Sequence, residues 1–137
     1  MTTRTISCHD RLPQHLVSRL EDFALMLDEE EQGNDEGTDE LPPLNEYGLS
    51  FTYQEGTYDE AGDWQAGYWQ YLLSWGGPSD ELRFYVDTDP RTGEGRCYRV
   101  VYQFADWFDG AEQDVTRDLV IKRLVAWFEG WEAFTRR

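Results

Sequence analysis

The sequence has few basic residues and few cysteines. Lysine occurs once, and 12 basic residues stand against 28 acidic ones, so the 137-residue chain carries a formal net charge of −16. Binding to nucleic acids or anionic lipids needs clustered lysine and arginine, and we expect no direct contact with DNA, RNA or a membrane. Two cysteines, Cys8 and Cys97, are too few for a disulfide scaffold. Without a recognisable secretion signal, they predict reduced thiols in a cytoplasm.

Long apolar runs and catalytic motifs are also missing. No stretch approaches the roughly 20 apolar residues that a membrane-spanning helix requires. The sequence contains no Walker motif, no G-x-S-x-G, no H-E-x-x-H and no cysteine and histidine cluster that would suggest zinc. These absences predict a protein that is not an enzyme and that uses neither a metal ion nor a cofactor.

The sequence does contain a concentrated block of acidic residues. Between Arg19 and Arg83 there is neither lysine nor arginine, and residues 20–82 include 17 aspartates and glutamates. The other 11 acids are balanced by the 12 bases, so this segment accounts for the whole charge imbalance. Such a block repels itself and costs folding stability. It indicates either a solvated loop or a surface that matches a basic groove on another protein.

Hydrophobic periodicity predicts a single α+β domain over residues 1–137, with an amphipathic helix near its start. Leucines and a phenylalanine recur at spacings of three and four over residues 12–32, which places them on one stripe of that helix. Gly33 is predicted to stop the helix. Residues 1–11 are expected to form a mobile end, and the acidic segment 33–45 with its Pro-Pro pair is expected to be a loop.

Four later segments alternate between apolar and polar residues, which predicts a four-stranded antiparallel meander with one buried face. A C-terminal helix over residues 114–135 is predicted to pack on that face with Trp127 and Trp131 on its apolar stripe. The residues expected on the buried sheet face are Tyr47, Leu49, Phe51, Tyr53, Trp69, Tyr71, Leu73, Trp75, Leu82, Phe84, Val86, Tyr98, Val100, Tyr102 and Phe104.

Two segments resemble proteins of mobile genetic elements. Residues 73–85 (LSWGGPSDELRFY) and 104–111 (FADWFDGA) look like parts of small acidic accessory proteins that phages and plasmids carry. The resemblance covers residues 41–111 and leaves the acidic N-terminal helix outside it. It implies a protein of the antirestriction or anti-CRISPR kind, several of which mimic DNA, acting in the cytoplasm of a bacterial host cell.

The charge density makes DNA mimicry physically coherent. Duplex DNA carries one negative charge per roughly 1.7 Å of axis, so 17 carboxylates match the charge of about 29 Å of duplex. We therefore expect an inhibitor whose acidic face occupies the DNA-binding channel of a basic protein, either a CRISPR effector or a restriction nuclease. The predicted partner-binding residues, with Tyr58 and Trp64 as aromatic anchors, are Asp28, Glu29, Glu30, Glu31, Asp35, Glu36, Asp39, Glu40, Tyr58, Asp59, Glu60, Asp63, Trp64, Asp80 and Glu81.

Three alternatives remain open from the sequence. The acids could neutralise a basic toxin, as an immunity protein or antitoxin does. Asp106 and Asp109 flank Trp107 and Phe108, and paired carboxylates can hold a divalent metal in a hydrolase. The preferred interpretation of this pair is a strand-to-helix turn in which the aspartates cap backbone N–H groups. Finally, the domain could be a structural sheet protein whose acids serve solubility alone.

Overall fold

The chain folds into the predicted α+β class, with a helix before and a helix after an antiparallel sheet. The computed structural model describes residues 7–34 and 36–135. The helices are α1 (Cys8–Glu31), the short α2 (Leu44–Tyr47) and α3 (Leu119–Gly130). The strands are β1 (Ser50–Gln54), β2 (Thr57–Tyr58), β3 (Trp64–Gln65), β4 (Tyr68–Ser74), β5 (Ser79–Thr88), β6 (Gly95–Asp106) and β7 (Asp109–Asp114). Five of them form the main sheet in the order β1-β4-β5-β6-β7, and β2 and β3 form a separate hairpin.

The main sheet has one strand more than the sequence predicts. Strand β7 pairs with β6 from Asp106↔Asp109 to Val101↔Asp114. Its sequence is DGAEQD, and only Ala111 is partly buried, so no apolar alternation marks it as a strand. It is held by the β6 ladder and by the packing of Ala111 against the core. The predicted strand-to-helix turn at this point is therefore a hairpin turn.

Helix α1 begins earlier than predicted because Ser7 caps it. The Ser7 hydroxyl accepts a hydrogen bond from the backbone N–H of Asp10 at 3.2 Å. Cys8 is buried in the core, so the expected mobile end is wrong for residues 8–11. At its other end α1 stops just before Gly33, whose φ of +84° is the left-handed conformation that glycine favours. The predicted helix stop is confirmed.

The core lies between the main sheet and helices α1 and α3, which cover the same sheet face. Phe23 of α1 and Phe128 of α3 both pack on Tyr71, with ring centroids 6.2 and 5.2 Å apart. The buried faces of β4, β5 and β6 are as predicted for Tyr71, Leu73, Leu82, Phe84, Val100, Tyr102 and Phe104. Among the described residues, no helix is long and apolar enough to cross a membrane.

Three large side chains that the alternation places in the core are instead exposed. Leu49 lies just before β1, Trp75 lies in the turn after β4, and Trp131 follows the last turn of α3. Each of them sits one residue outside a regular element, where the period of two or of 3.6 residues no longer fixes the direction of a side chain. The periodicity therefore fails for these three side chains just outside the regular elements.

Tyr47 and Tyr98 also differ from the predicted strand faces. Tyr47 is the last residue of α2 rather than part of β1. Tyr98 is exposed because β5 and β6 shift register between Tyr85 and Val86, and a bulge of this kind turns the neighbouring side chains to the other face.

The C-terminal helix is shorter than predicted because its cap lies inside the predicted range. The carboxylate of Asp118 accepts hydrogen bonds from the backbone N–H groups of Val120 and Ile121 at 2.9 and 3.1 Å. Helix α3 therefore begins at Leu119, and the residues before Asp118 belong to β7 and a turn.

Candidate protein-binding surface

The structure divides the predicted partner-binding residues into two surface areas and a pair in the main sheet. Asp80 and Glu81 form the pair, and Asp35 lies outside the described residues. The helix-end area is the last turn of α1 with the loop after it, and it contains Asp28, Glu29, Glu30, Glu31, Glu36, Asp39 and Glu40. The hairpin area is β2, β3 and their turn, and it contains Tyr58, Asp59, Glu60, Asp63 and Trp64.

Asp80 is a core residue and cannot contact a partner, which corrects its assignment to the surface. Only 3% of it is exposed. Its carboxylate accepts hydrogen bonds from Arg19 Nε at 2.8 Å and Nη2 at 2.9 Å. The hydroxyls of Ser74 and Tyr102 each donate to it at 2.6 Å. The carboxylate therefore joins α1, β4, β5 and β6.

These contacts keep the buried carboxylate ionised. Burial alone would raise the pKa of Asp80, but the hydrogen bonds from Arg19, Ser74 and Tyr102 outweigh it and hold the pKa below the ordinary 3.8. Arg19 also donates to the Tyr47 hydroxyl at 2.7 Å, and that hydroxyl donates to Asp22. Burial and the bond to Asp22 raise the pKa of Tyr47 to about 12. Arg19 and its partners thus form one polar cluster beneath α1.

Glu81 points to the opposite face of the sheet from the helices and is already paired. Its carboxylate accepts hydrogen bonds from Arg83 Nε at 2.9 Å and from Gln70 Nε2 at 3.0 Å. Only 14% of its side chain is exposed. The Arg83 guanidinium also lies 4.6 Å from the centroid of the Tyr68 ring. Glu81 therefore belongs to a polar and aromatic network of the sheet and leaves the candidate surface.

In the helix-end area, a distant arginine compensates the acids at the end of α1. Arg123 of α3 donates from Nη2 to Asp28 at 2.8 Å and to Glu31 at 2.9 Å. Both hydrogen bonds raise the pKa of Arg123. Acidic residues in a last helical turn are disfavoured by the helix dipole, and this cation relieves that conflict. Asp28 and Glu31 are consequently only partly available to a partner.

The helix-end area encloses a pocket of about 360 Å³ between α1 and the loop that follows it. Met26 and Leu44 are buried and form its floor, while Leu25 and Leu41 form walls that are partly open to solvent. Its remaining lining residues are Glu29, Glu30, Asn34, Gly37, Thr38, Asp39, Glu40, Pro42 and Pro43. The lining of the pocket therefore combines apolar side chains with four acidic residues.

The loop that closes this pocket has a defined structure. Thr38 N–H donates to the Leu41 carbonyl at 2.8 Å, and Leu41 N–H donates to the Thr38 hydroxyl at 3.2 Å. Gly37 has a φ of +86°, and a Cβ atom there would lie 2.6 Å from the backbone nitrogen of Pro43. Only glycine fits so close an approach. Asn34 Nδ2 donates to Glu29 Oε2 at 2.6 Å and ties the loop to α1.

The hairpin area presents two aromatic side chains to solvent, as the anchor prediction requires. Tyr58 and Trp64 are cross-strand partners, and their rings meet edge to face with centroids 5.1 Å apart. Tyr58 is 69% exposed and Trp64 is 59% exposed. Exposed tyrosine and tryptophan are enriched among the residues that dominate protein interfaces.

Asp59 organises the turn of the hairpin. Its Oδ1 accepts hydrogen bonds from the backbone N–H groups of Ala61 at 3.0 Å and Asp63 at 2.9 Å, and its Oδ2 accepts from Gln65 Nε2 at 3.0 Å. Asp59 therefore has a structural task within the area. It fixes the positions of Glu60 and Asp63, whose exposed carboxylates face solvent at the turn.

Strand β1 separates the two areas along the chain. The helix-end loop precedes α2 and β1, and the hairpin follows β1 directly. The acidic residues of the predicted face therefore fall into two areas, one before β1 in the chain and one after it.

The two carboxylates that the hydrolase alternative needs are engaged with α1. Asp106 Oδ2 accepts a hydrogen bond from Arg11 Nη1 at 2.6 Å, and Asp109 Oδ2 accepts one from the backbone N–H of Cys8 at 2.7 Å. The bond from Cys8 lowers the pKa of Asp109. Both aspartates thus hold the first turn of α1 against the β6–β7 turn. Across residues 7–34 and 36–135, no group of three or more potential metal ligands comes together.

The buried pair of Arg19 and Asp80 was missed in the sequence, although two patterns point to it. Arg19 continues the apolar stripe of α1 at helical spacing from Leu16 and Phe23, and Asp80 continues the buried alternation of β5 two residues before Leu82. Opposite charges on two buried faces predict an ion pair. The ion pairs of Arg123 could not be predicted in this way, because its partners are more than 90 residues away in sequence.

Comparison with known proteins leaves the chain without an identified relative. No protein-family model matches it, and searches of curated proteins and of solved structures find no match. The candidate surface is therefore defined by its own geometry, which is an apolar pocket and an aromatic hairpin, each surrounded by carboxylates.

Proposed function

We propose that the protein is a non-enzymatic inhibitor that binds, through its two acidic areas, the DNA-binding channel of a nuclease belonging to a CRISPR or restriction system. The proposal rests on six carboxylates of these areas that have neither an ion pair nor a hydrogen bond among the described residues, yet lie in parts of the chain that the structure describes. The six are Glu30, Glu36, Asp39, Glu40, Glu60 and Asp63.

Fixed carboxylates suit this task better than a flexible acidic tail. A basic channel gains affinity from closely placed negative charges, and an ordered array loses less conformational entropy when it binds. Because the two areas lie on different elements of the chain, they can meet different groups of basic residues in one channel.

Matched charge reversals test the proposal. One variant reverses Asp39, Glu60 and Asp63 to lysine, and the control variant reverses Asp87, Glu94 and Glu112, which are exposed acids outside both areas. Both variants change the net charge equally. The assay measures how much protein displaces labelled duplex DNA from purified CRISPR effector complexes and restriction nucleases.

We expect the wild type to displace DNA from at least one of these nucleases. The first variant is expected to need about tenfold more protein or worse, because close charge pairs contribute on the order of 1.5 kcal/mol each. The control variant is expected to act like the wild type. Failure of the wild type with every nuclease, or equal losses in both variants, would show that the proposed function is wrong.

An immunity protein that neutralises a basic toxin is the second candidate. The exposed pair of Tyr58 and Trp64 supports it, because uncharged aromatic side chains add nothing to the mimicry of phosphates, whereas a pocket on a toxin can bury them. This candidate predicts that Trp64→Ser abolishes partner binding at high salt as well as at low salt. Binding dominated by mimicry of phosphates is instead lost when salt alone is raised.

A further inference from the structure

We infer that the pocket of the helix-end area is a specific receptor for one kind of segment, an aliphatic side chain flanked by lysine or arginine. The inference rests on the proposed function, because it names the part of a basic partner that the area recognises. The pocket is distinct from a plain acidic patch, since its lining combines apolar side chains with four acidic residues.

The shape and size of the pocket support a bound side chain. Its volume of about 360 Å³ lies within the range of about 300–1,000 Å³ typical of ligand sites. Leu25 lines the pocket and is 55% exposed, whereas the next residue, Met26, is buried. An occupant that covers this leucine would remove apolar surface from water on both molecules.

The positions of the carboxylates determine the charge of the occupant. Glu29 and Glu30 lie one helical turn after Leu25 and Met26, so each stands next to an apolar lining residue on the same face of α1. Asp39 and Glu40 stand on the opposite wall, in the loop. A segment that inserts an aliphatic side chain therefore passes carboxylates on both sides, and basic neighbours on both sides complement them.

The loop holds this arrangement before any partner binds. The bond from Asn34 to Glu29 and the mutual hydrogen bonds of Thr38 and Leu41 fix the wall. Because these contacts are already made, binding costs less ordering of the chain than binding to a flexible acidic loop would. The pocket can therefore distinguish basic segments by the shape of their side chains, which charge alone cannot do.

Two synthetic peptides of equal charge test the inference. One peptide alternates lysine with leucine, and the other alternates lysine with serine. Each is labelled, and its binding to the full chain is measured by fluorescence anisotropy. We expect the leucine peptide to bind about tenfold more tightly, because burying one leucine side chain contributes about 1.5 kcal/mol or more. Equal affinities for the two peptides would overturn the inference.

A pair of leucine variants locates the effect. Leu25→Ser removes an exposed wall of the pocket without changing the charge, and Leu119→Ser removes a leucine that is 77% exposed on α3, outside the pocket. We expect Leu25→Ser to abolish the preference for the leucine peptide and to leave binding of the serine peptide unchanged. Leu119→Ser is expected to keep the preference. A preference that survives in Leu25→Ser would also overturn the inference.

The peptide experiment and the DNA displacement assay can fail independently of each other. If the peptides bind equally but the protein displaces DNA from a nuclease, the pocket is not a receptor and the inhibitor proposal stands. If the peptide preference depends on Leu25 but no DNA is displaced, the pocket recognises a basic segment and the inhibitor proposal fails.

Discussion

The carboxylate of Asp80 joins four elements of the fold through its hydrogen bonds. Removing two charges from water is expensive, and such a pair is tolerated only with good geometry and additional hydrogen bonds. Arg19 supplies two N–H groups, and Ser74 and Tyr102 supply a hydroxyl each. The pair is therefore saturated, and loss of either charge leaves the other without its partner.

We expect Asp80→Asn to lower the free energy of unfolding by about 3 kcal/mol at neutral pH, because it leaves the Arg19 guanidinium uncompensated. The contribution of the carboxylate also depends on pH. Its folded-state pKa lies below 3.8, so its stabilisation is fully present above that value and is lost as the pH falls through the lower folded-state pKa. Urea unfolding at a series of pH values measures both effects.

The control for this prediction is Glu112→Gln, which changes an exposed carboxylate of β7. It is expected to alter stability by less than about 0.5 kcal/mol. The role of Asp80 in stability would be contradicted if wild type and Asp80→Asn had nearly the same free energy of unfolding at neutral pH. It would also be contradicted if their difference in free energy did not shrink below pH 3.8.

Among the elements, the hairpin of β2 and β3 relies on Asp59 at its turn. Two-residue strands form too small a ladder to hold a hairpin by themselves. The three hydrogen bonds accepted by the Asp59 carboxylate and the contact between Tyr58 and Trp64 add to the two backbone hydrogen bonds of the turn. The aromatic anchors and the acidic turn are thus one cooperative unit.

Asp59→Ala is expected to loosen this unit without unfolding the domain. The amide hydrogens of Ala61 and Asp63 should exchange about fivefold faster, because each loses a hydrogen bond that contributes about 1 kcal/mol. Hydrogen exchange followed by NMR measures this effect. Glu60→Ala, which changes the neighbouring acid at the same turn, should leave both rates unchanged. Equal acceleration in the two variants would mean that Asp59 has no special part in the turn.

The elements also show which features the sequence could and could not predict. Alternation identified β4, β5 and β6, and the glycine stop of α1 was predictable because each signal is local. Strand β7 carries no such signal, since backbone pairing with β6 and one partly buried alanine suffice to hold it. Tyr58 and Trp64 could be named as candidate anchors from their acidic neighbours in the sequence. The pocket could not be predicted, because it depends on how the loop folds against α1.

At the scale of the whole molecule, the fold pairs part of the acidic block with arginines. Among the described residues, Asp28, Glu31, Asp80 and Glu81 have arginine partners that lie outside residues 20–82. The sequence could not show this, because two of the three arginines reach their partners across more than 60 residues. The remaining acids keep the molecule strongly negative.

We expect added NaCl to raise the thermal unfolding midpoint, because a net charge of −16 opposes the compact state. The Debye length falls from about 30 Å at 0.01 M to about 8 Å at 0.15 M salt, so repulsion across the molecule is screened over this range. Circular dichroism melts in a salt series measure the effect, with an uncharged osmolyte as the control. A midpoint that is unchanged or falls with salt would show that the acids do not destabilise the fold.

The placement of the indole rings has a spectroscopic consequence. None of the six tryptophans is fully buried, and Trp64, Trp75, Trp107 and Trp131 are largely in water. The native protein should fluoresce near the wavelength of solvated indole, so its emission moves little when the chain unfolds. The same rings make fluorescence a sensitive reporter of association, because a partner that covers the hairpin shields Trp64 and shifts its emission to shorter wavelengths.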